Sequence, residues 1–255
     1  MNIISLNTWG GRAGDVQLLD FFAQYKDTTD IFCLQEIWRA PYEYLDGEAV
    51  GGVSLKHDDI MVHGLQQITE VLEGFTPYFK PSHGENYGLL MFVRSNLMVI
   101  DEGDVWVHKD KDFVPVGDVG HHARNLQYVT VSTEYGPRTV AHIHGLWNGK
   151  GKGDSDDSFI QSDNIVAFLR NCESSYVLCG DFNLLPETES IKRIENAPAV
   201  NLITKYGVTS TRTKYYTKPE KFADYAFVNP ELTVVDFKVL PDEVSDHAAL
   251  YIEIR

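Results

Sequence analysis

Residues 176–183 read Tyr-Val-Leu-Cys-Gly-Asp-Phe-Asn, an apolar run that passes through a glycine into a carboxylate and an amide. Short runs of aromatic and β-branched residues that end at glycine are typical of buried strands. Asp181 and Asn183 therefore follow a predicted strand, where a turn can place both side chains at the edge of a sheet. On this stretch alone, a second interpretation stays open, in which the two residues only form the turn.

Other predicted strands carry polar residues at their ends in the same way. These residues are Asn7 after 3–6, Gln35 and Glu36 after 31–34, His144 after 140–143, and Asp246 and His247 before 248–254. If the strands belong to one sheet sandwich, their ends can converge on a single rim. The pattern therefore predicts one polar site assembled from distant parts of the chain.

The residue types at these strand ends indicate metal-assisted phosphate chemistry. Oxygen ligands from Asn, Asp and Glu suit Mg²⁺, Mn²⁺ or Ca²⁺ better than Zn²⁺. Histidines beside such a metal can donate hydrogen bonds to a phosphate, and a nearby carboxylate favours the charged imidazolium. A metal, a charged histidine and an aspartate that orients water are the groups needed for in-line attack on phosphorus.

The remaining pattern predicts an α/β fold, a four-layer αββα sandwich of two mainly antiparallel β-sheets packed face to face with helices outside. No linker, repeat or low-complexity segment interrupts residues 1–255, so we expect a single catalytic domain. Helical spacing predicts three helices, at 15–25, 60–72 and 158–169. Asp15 is the expected cap of the first helix, and Asp157 or Ser158 is the expected cap of the third. Strand patterns occur at 3–6, 31–34, 88–93, 97–107, 127–133, 138–144, 176–179, 223–228, 234–239 and 248–254.

The composition excludes some classes of partner. Asp and Glu number 37 against 22 Lys and Arg, a net charge of −15, so the chain cannot grip nucleic acid through a generally basic surface. No apolar run is long enough for a membrane helix, and the amino-terminal residues are typical of a strand and not of a signal peptide. Three cysteines without disulfide spacing favour reduced thiols and a cytoplasmic setting. No sequence feature indicates an obligate protein partner.

Taken together and in order, the motifs resemble those of the endonuclease/exonuclease/phosphatase superfamily, which includes pancreatic-type deoxyribonucleases, abasic-site endonucleases, sphingomyelinases and inositol polyphosphate phosphatases. The resemblance covers residues 5–247. Each motif is weak alone, but all of them occur in the family's order. They are Ser5-Leu6-Asn7-Thr8-Trp9, Leu34-Gln35-Glu36, Tyr87-Gly88-Leu89-Leu90, His142-Ile143-His144, Gly180-Asp181-Phe182-Asn183, Ala223-Asp224-Tyr225-Ala226-Phe227 and Ser245-Asp246-His247.

The resemblance implies a role for each motif residue. Glu36 looks like the main ligand of Mg²⁺, or alternatively Mn²⁺, with Asn7 and Asp246 completing the shell directly or through water. Catalytic roles fall to five residues: Asp181 to orient the attacking water, Asn183 to contact that water or the phosphate, His144 and His247 to stabilise the transition state, and Asp224 to hydrogen-bond His247.

Two features extend or depart from the family pattern. Glu85 is expected to orient His144, as in pancreatic-type deoxyribonucleases. Many family members have Asn-x-His where this chain has His142-Ile143-His144, so the local hydrogen bonding around His142 should differ. The catalytic histidine of the motif is retained.

Further candidates for substrate binding come from local charge. The segment 205–221 contains five bases and one acid, and Arg212 within it leads towards Asp224. Lys150 and Lys152 follow His144 in a glycine-rich loop, and Arg124 ends the polar segment 108–125. Each of these segments is equally consistent with an ordinary solvated loop. We include Arg124, Lys150 and Arg212 with Glu85 among the supporting residues.

The sequence therefore predicts a divalent-metal-dependent hydrolase that cleaves a phosphodiester or phosphomonoester by attack of water. A small molecule or a short oligonucleotide is the preferred phosphate-ester substrate. Three alternatives remain: a DNA or RNA nuclease, a sugar or inositol phosphatase or sphingomyelinase-like enzyme, and a non-catalytic binding module. A closed pocket roofed by 108–125 or 148–157 would favour a small molecule over a polymer.

Overall fold

A computed structural model describes residues 1–42, 45–50, 53–111 and 113–255. The helices are α1 (Asp15–Tyr25), α2 (Gly64–Val71), α3 (Asp156–Asn171), α4 (Glu189–Glu195) and α5 (Leu202–Lys205). The strands are β1 (Asn2–Asn7), β2 (Ile31–Trp38), β3 (Ala49–Val50), β4 (Val53–Ser54), β5 (Phe75–His83), β6 (Tyr87–Arg94), β7 (Met98–His108), β8 (Arg124–Thr133), β9 (Gly136–His144), β10 (Ser175–Asp181), β11 (Val200–Asn201), β12 (Asp224–Val228), β13 (Val234–Val239) and β14 (Leu250–Ile254).

Two six-stranded sheets repeat one arrangement. The first has the order β13-β14-β1-β2-β6-β5 and the second β11-β12-β10-β9-β8-β7. Each contains one parallel pair, β1 with β2 and β9 with β10, and its other neighbours are antiparallel. Because parallel strands end at the same edge, each sheet brings two carboxyl ends together. The predicted pair of mainly antiparallel sheets is confirmed.

The alternation of side chains along β1 and β2 explains the layers. Ile3 and Cys33 belong to the core shared with the second sheet, whereas Ile4 and Phe32 pack with Phe22 of α1 on the other face. Both faces of these central strands are therefore buried, as their continuous apolar runs predict. Helices α3 and α4 contribute Ile165, Leu169 and Ile191 to the core over the second sheet. The predicted four-layer sandwich follows from this packing.

The helix boundaries correct several sequence predictions. Helix α1 has the predicted range, but Gly14 occupies the N-cap position and Asp15 is the first helical residue. Helix α2 starts four residues later than predicted because the Met61 N–H bonds to Gly10 O at 2.7 Å, which holds the preceding segment in a non-helical conformation. Helix α3 is capped by Ser155, whose hydroxyl accepts the Ser158 N–H in a capping box.

Strand β5 and helix α4 are absent from the sequence predictions. Strand β5 contains Pro77 and Pro81, which argue against a strand, but it lies at the edge of its sheet, where a missing N–H is tolerated. Helix α4 has only seven residues and is capped by Thr188. In the described part of the chain, no helix is long and apolar enough to cross a membrane.

Gly180 allows the end of β10 to approach β9. Its φ is +124°, and a Cβ atom there would lie 2.2 Å from Ile143 O. We expect Gly180→Ala to lower the free energy of unfolding by at least about 2 kcal/mol through strain and overpacking. Urea denaturation would measure this loss. Gly153→Ala is the matched control because a Cβ at Gly153 meets no atom within 4 Å. Equal stability of the two variants would contradict the prediction.

Candidate active site

The strand registers bring the predicted residues to one rim. At the end of the parallel pair in the first sheet, Asn7 is paired with Gln35, next to Glu36. At the end of the equivalent pair in the second sheet, Asp181 is paired with His144. Strand β12 runs antiparallel to β10, so its first residue, Asp224, also lies beside Asp181. The site is thus formed where equivalent edges of the two packed sheets meet.

Glu36 reaches this site through an irregularity in β2. The pairing of β2 with β6 shifts register between Leu34 and Ile37, and Glu36 itself has a φ of +60°. Such bulges redirect a side chain, and a non-glycine residue in this region is strained. Trp9 and Asn183, which line the same cavity, also have positive φ values, of 53° and 54°. Backbone strain is therefore concentrated around the site.

Asp181 is 1% exposed and is held from both sides. Its Oδ1 accepts the backbone N–H of Asn183 at 2.8 Å, and its Oδ2 accepts a hydrogen bond from Asn7 Nδ2 at 3.0 Å. Burial raises the pKa of this carboxyl, but the cationic side chains around it, chiefly His247 and Lys152, outweigh burial and hold the pKa well below its usual range. Asp181 is therefore an ionised carboxylate of fixed orientation.

Asp224 and His247 form a buried pair. Both carboxylate oxygens of Asp224 lie 2.9 Å from His247 Nδ1, which donates to them. Burial lowers the pKa of His247, but Asp224, together with Asp246 and Asp181, raises it above the ordinary value. The opposite ring nitrogen, Nε2, lies 3.5 Å from Asp181 Oδ2. The surrounding carboxylates thus favour the charged form of His247, and its Nε2 is directed at Asp181.

His144 has the opposite electrostatic character. Burial, followed by the neighbouring Arg124 guanidinium, lowers the pKa of His144 to about 3, so the ring is neutral near pH 7. Its Nε2 lies 3.8 Å from both Glu36 Oε1 and Asp181 Oδ2. The two histidines converge on the same carboxylate, one neutral and one charged.

The oxygen donors fit a hard divalent cation. Glu36 and Asp246 line one cavity, and the buried Asp246 Oδ1 accepts no hydrogen bond from the described residues. Asn7, predicted to complete the metal shell directly or through water, is held by hydrogen bonds: its Oδ1 accepts the Trp9 N–H, and its Nδ2 donates to Glu36 Oε1 at 3.0 Å as well as to Asp181. Asn7 therefore joins the two carboxylates.

An acidic and histidine cluster that could hold a metal also exists at Asp181, Asp224 and His247, whose ligand atoms lie within 4.8 Å of one another. However, His247 Nδ1 is already occupied by Asp224. We therefore regard this cluster as a hydrogen-bonded relay. Glu36 and Asp246 have one oxygen each bound, to Asn7 and Arg212, and the other carboxylate oxygen of each accepts no hydrogen bond from the described residues.

The site opens into a cavity of about 370 Å³. Val119, Gly120, His122 and Arg124 from one predicted loop, and Lys152 from the other, line it. The basic segment contributes residues 212 and 215–218, and Trp9, Trp38, Tyr87 and Trp147 complete the walls. Residues of both predicted loops therefore line the cavity, which stays partly open to solvent, and its volume falls within the size range of small-ligand pockets.

Two of the four supporting residues lie in the cavity. Arg124 is 2% exposed, its Nη2 donates to Gly120 O at 2.8 Å, and its Nε and Nη1 have no partner in the described structure. Arg212 Nη1 donates to Asp246 Oδ2 at 3.1 Å. Backbone pairing of residues 211–213 with 246–248 fixes this contact, since Arg212 forms a bridge with His247.

The other two supporting residues lie elsewhere. Lys150 is exposed, whereas Lys152, two residues further on, is 4% exposed and lines the cavity. Glu85 is also exposed, and its carboxylate lies 3.6 Å from Lys111 Nζ. These placements correct both predictions: Lys150 is not a cavity residue, and Glu85 faces Lys111 at the surface instead of orienting His144.

The unusual His142 is part of the core between the sheets. Its Nδ1 accepts from Gln35 Nε2 at 2.9 Å, and its Nε2 donates to Gln127 Oε1 at 2.8 Å. Burial lowers the pKa of His142 to about 3, which keeps the ring neutral. His142 therefore links β2, β9 and β8 and satisfies its own ring nitrogens.

Sequence reasoning did not identify several cavity residues. His83, Tyr87 and His122 form a ring cluster beside Arg124, with His122 lying 5.7 Å from His83 and 5.5 Å from Tyr87 between centroids. Tyr216 stacks on Arg212 at 4.0 Å. Only Tyr87 lies in a motif, so the sequence carried little signal for the others.

Comparison with known proteins identifies the family. Residues 4–247 match the sequence profile of the Endonuclease/Exonuclease/phosphatase family. No curated protein sequence matches the chain. Among solved structures, a family protein from Bacteroides thetaiotaomicron is similar, with a TM-score of 0.76, 18% identity and coverage of 100% of this chain and 97% of that one.

Two further structures are similar in fold. A mannosyl-6-phosphatase from Bacteroides thetaiotaomicron has a TM-score of 0.71 and 18% identity, covering 100% of this chain and 99% of that one. The human Nocturnin catalytic domain with bound sulfate has a TM-score of 0.65 and 16% identity, covering 100% and 94%. At these identities the likeness concerns the fold, whereas the sequence profile spans nearly the whole chain. The chain therefore belongs to the endonuclease/exonuclease/phosphatase family.

Proposed function

We propose that the protein is a divalent-metal-dependent hydrolase of small phosphate esters. Members of this family are generally phosphoester hydrolases. The observation that carries the proposal is the convergence of His144 and His247 on the Asp181 carboxylate in one cavity. A binding module would have no need for a fixed carboxylate flanked by two histidines whose pKa values are shifted in opposite directions.

Each residue has a role in attack of water on phosphorus. Asp181 accepts a hydrogen bond from the water, orients it in line with the leaving group and takes its proton as the new P–O bond forms. Because the pKa of Asp181 is low, its carboxylate acts mainly by orienting the water. It takes the proton once formation of the P–O bond has made the attacking water more acidic. His247 and His144 donate Nε2–H bonds to the phosphoryl oxygens, where negative charge accumulates. Asn183 holds Asp181 through its backbone N–H.

The proposed cofactor is Mg²⁺, with Mn²⁺ as the alternative. Glu36 and Asp246 would hold it, while Asn7 fixes the Glu36 carboxylate. When bound, the cation supplies positive charge to a phosphoryl oxygen. In its absence, the facing carboxylates would repel an anionic substrate.

The limited volume of the cavity, about 370 Å³, and its lining by residues of both loops support a small substrate over a polymer. The similar fold of a mannosyl-6-phosphatase is consistent with a sugar phosphate. A nuclease is the second candidate, because the cavity contains Trp9 and Trp147, on which a base could stack. We place the enzyme in the cytoplasm, acting without an obligate protein partner or membrane insertion.

We expect activity to depend fully on a divalent cation. The purified protein would be assayed with p-nitrophenyl phosphate, bis-p-nitrophenyl phosphate, a single-stranded oligonucleotide and plasmid DNA. Treatment with EDTA should lower the rate by at least about 100-fold, and Mg²⁺ or Mn²⁺ should restore it, since a bound cation contributes several kcal/mol to such reactions. Zn²⁺ is the control metal. Turnover that survives EDTA would contradict the metal requirement, and no turnover with any substrate would favour a binding module.

A further inference from the structure

Lys152 is a buried cation for which the proposed reaction has no role. Its side chain is 4% exposed, and its Nζ has no hydrogen-bond partner among the residues that the structure describes. The backbone holds it in place, since Lys152 O accepts the Leu185 N–H at 2.9 Å. Burying an ammonium group without a partner is costly, so such a group is expected to bind an anion. The cavity that it lines contains Asp181 and His247.

A second cation lies on the same side of the cavity. The Arg212 guanidinium packs 4.0 Å from the ring centroid of Tyr216, and Lys152 Nζ lies 5.7 Å from the same centroid. Arg212 Nη1 is bound to Asp246, but its buried Nε has no partner within the described ranges. We call these three side chains the Lys152–Tyr216–Arg212 wall. This wall presents two donors to anionic oxygens, Lys152 Nζ and Arg212 Nε.

The charge of the cavity is positive although the protein is acidic. Among the described residues that line it, there are three acids and five bases. The acids are Glu36, Asp181 and Asp246, and the bases are Arg12, Arg124, Lys152, Arg212 and Lys218. A bound divalent cation would add two further positive charges. A ligand with a single negative charge would leave most of this charge uncompensated.

We propose that Lys152, supported by Arg212, binds the second ionised oxygen of a phosphomonoester and makes the enzyme selective for monoesters over diesters. The inference rests on the proposed hydrolase function. A monoester is a dianion near pH 8, because its second pKa is about 6. A diester has one negative charge, and it places an uncharged, bulkier ester group where the monoester has an ionised oxygen. Lysine commonly binds phosphate as such a point charge.

The test compares both ester classes in Lys152→Met. With p-nitrophenyl phosphate, kcat/KM should fall by about 10- to 100-fold, the usual effect of losing a charge-assisted hydrogen bond. With bis-p-nitrophenyl phosphate it should fall by less than about 3-fold. Lys152→Arg keeps the charge and should retain most of the preference. Lys150→Met is the matched control, since Lys150 is exposed in the same loop. An equal loss on both esters, or no loss, would overturn the proposal.

Binding measurements separate this proposal from the proposed function. Calorimetry at pH 8 would compare methyl phosphate with dimethyl phosphate in the Mg²⁺-loaded protein, whether or not the protein turns over any ester. Tighter binding of methyl phosphate that Lys152→Met weakens by about 10-fold supports the subsite. The absence of this preference in the original protein, or its persistence in the variant, would overturn it. Thermal unfolding of both variants would show whether they fold.

Discussion

Replacing Asp181 with asparagine is expected to lower kcat by about 10³-fold or more, since both orientation and proton transfer are lost. The size of the expected loss follows from the two hydrogen bonds that hold the Asp181 carboxylate. One carboxylate oxygen accepts from the Asn183 N–H and the other from Asn7 Nδ2. An asparagine is the same size, but its NH₂ group must face one of these donors in either orientation. The variant therefore loses the negative charge and the geometry that orients water.

Initial rates in saturating Mg²⁺, followed with the best substrate found, would measure this loss. Asp163→Asn is the matched control, because Asp163 lies on the outer helix α3 with its carboxylate 61% exposed and paired with Arg193. Activity of the control should stay within about 2-fold, as expected for an exposed ion pair. If the Asp181 variant keeps more than about a tenth of the activity while folded, Asp181 does not orient the nucleophile.

The position of Asp181 at the end of a strand was predictable because its signals are local. An apolar run, a glycine, a carboxylate and an asparagine that tolerates positive φ occur within eight residues. The same holds for Asp246 and His247 before β14. What the sequence could not show is the pairing of His247 with Asp224, which is 23 residues away and begins β12 of the second sheet, whereas His247 precedes β14 of the first. The order of family motifs supplied this information.

The substrate side of the site was less predictable. Lys150 and Lys152 both lie between glycines, so their sequence environments are nearly the same, yet one is exposed and the other buried. The difference comes from the contact of Lys152 O with the Leu185 N–H, which lies more than 30 residues away. The prediction that Glu85 orients His144 was wrong for a related reason: the turn between β5 and β6 directs Glu85 towards Lys111, another distant residue. Loops are specified by such tertiary contacts more than by local pattern.

The strand prediction failed at β5 for a different physical reason. Prolines exclude a strand from the interior of a sheet but are tolerated at its edge, and the local sequence does not say which position a strand takes. The conformation of Glu36 also depends on a neighbouring strand and not on the local sequence. The sequence places a carboxylate at the end of β2, but the register shift and the φ of +60° that aim it into the cavity depend on the neighbouring β6.

Asp224→Asn should reduce kcat by about 10²- to 10⁴-fold, although Asp224 does not line the cavity. Its carboxylate holds His247 Nδ1 and raises the pKa of the ring, so it favours the imidazolium that donates to the phosphate. An asparagine can keep one hydrogen bond but not the charge. The pKa of His247 then falls, because Asp224 is the largest of the contributions that oppose the effect of burial, and the neutral ring is favoured. Asp236→Asn, at an exposed position paired with Lys238, is the control.

A double-mutant cycle tests whether Asp224 acts through His247. His247→Ala alone should cost at least as much activity as Asp224→Asn, because it removes the group that contacts the phosphate. The double variant should then be no slower than His247→Ala within about 3-fold, since residues that act as one unit are strongly non-additive. Two independent losses that multiply would contradict the pairing. In that case Asp224 would contribute to the site through its charge on Lys152 instead of through the histidine.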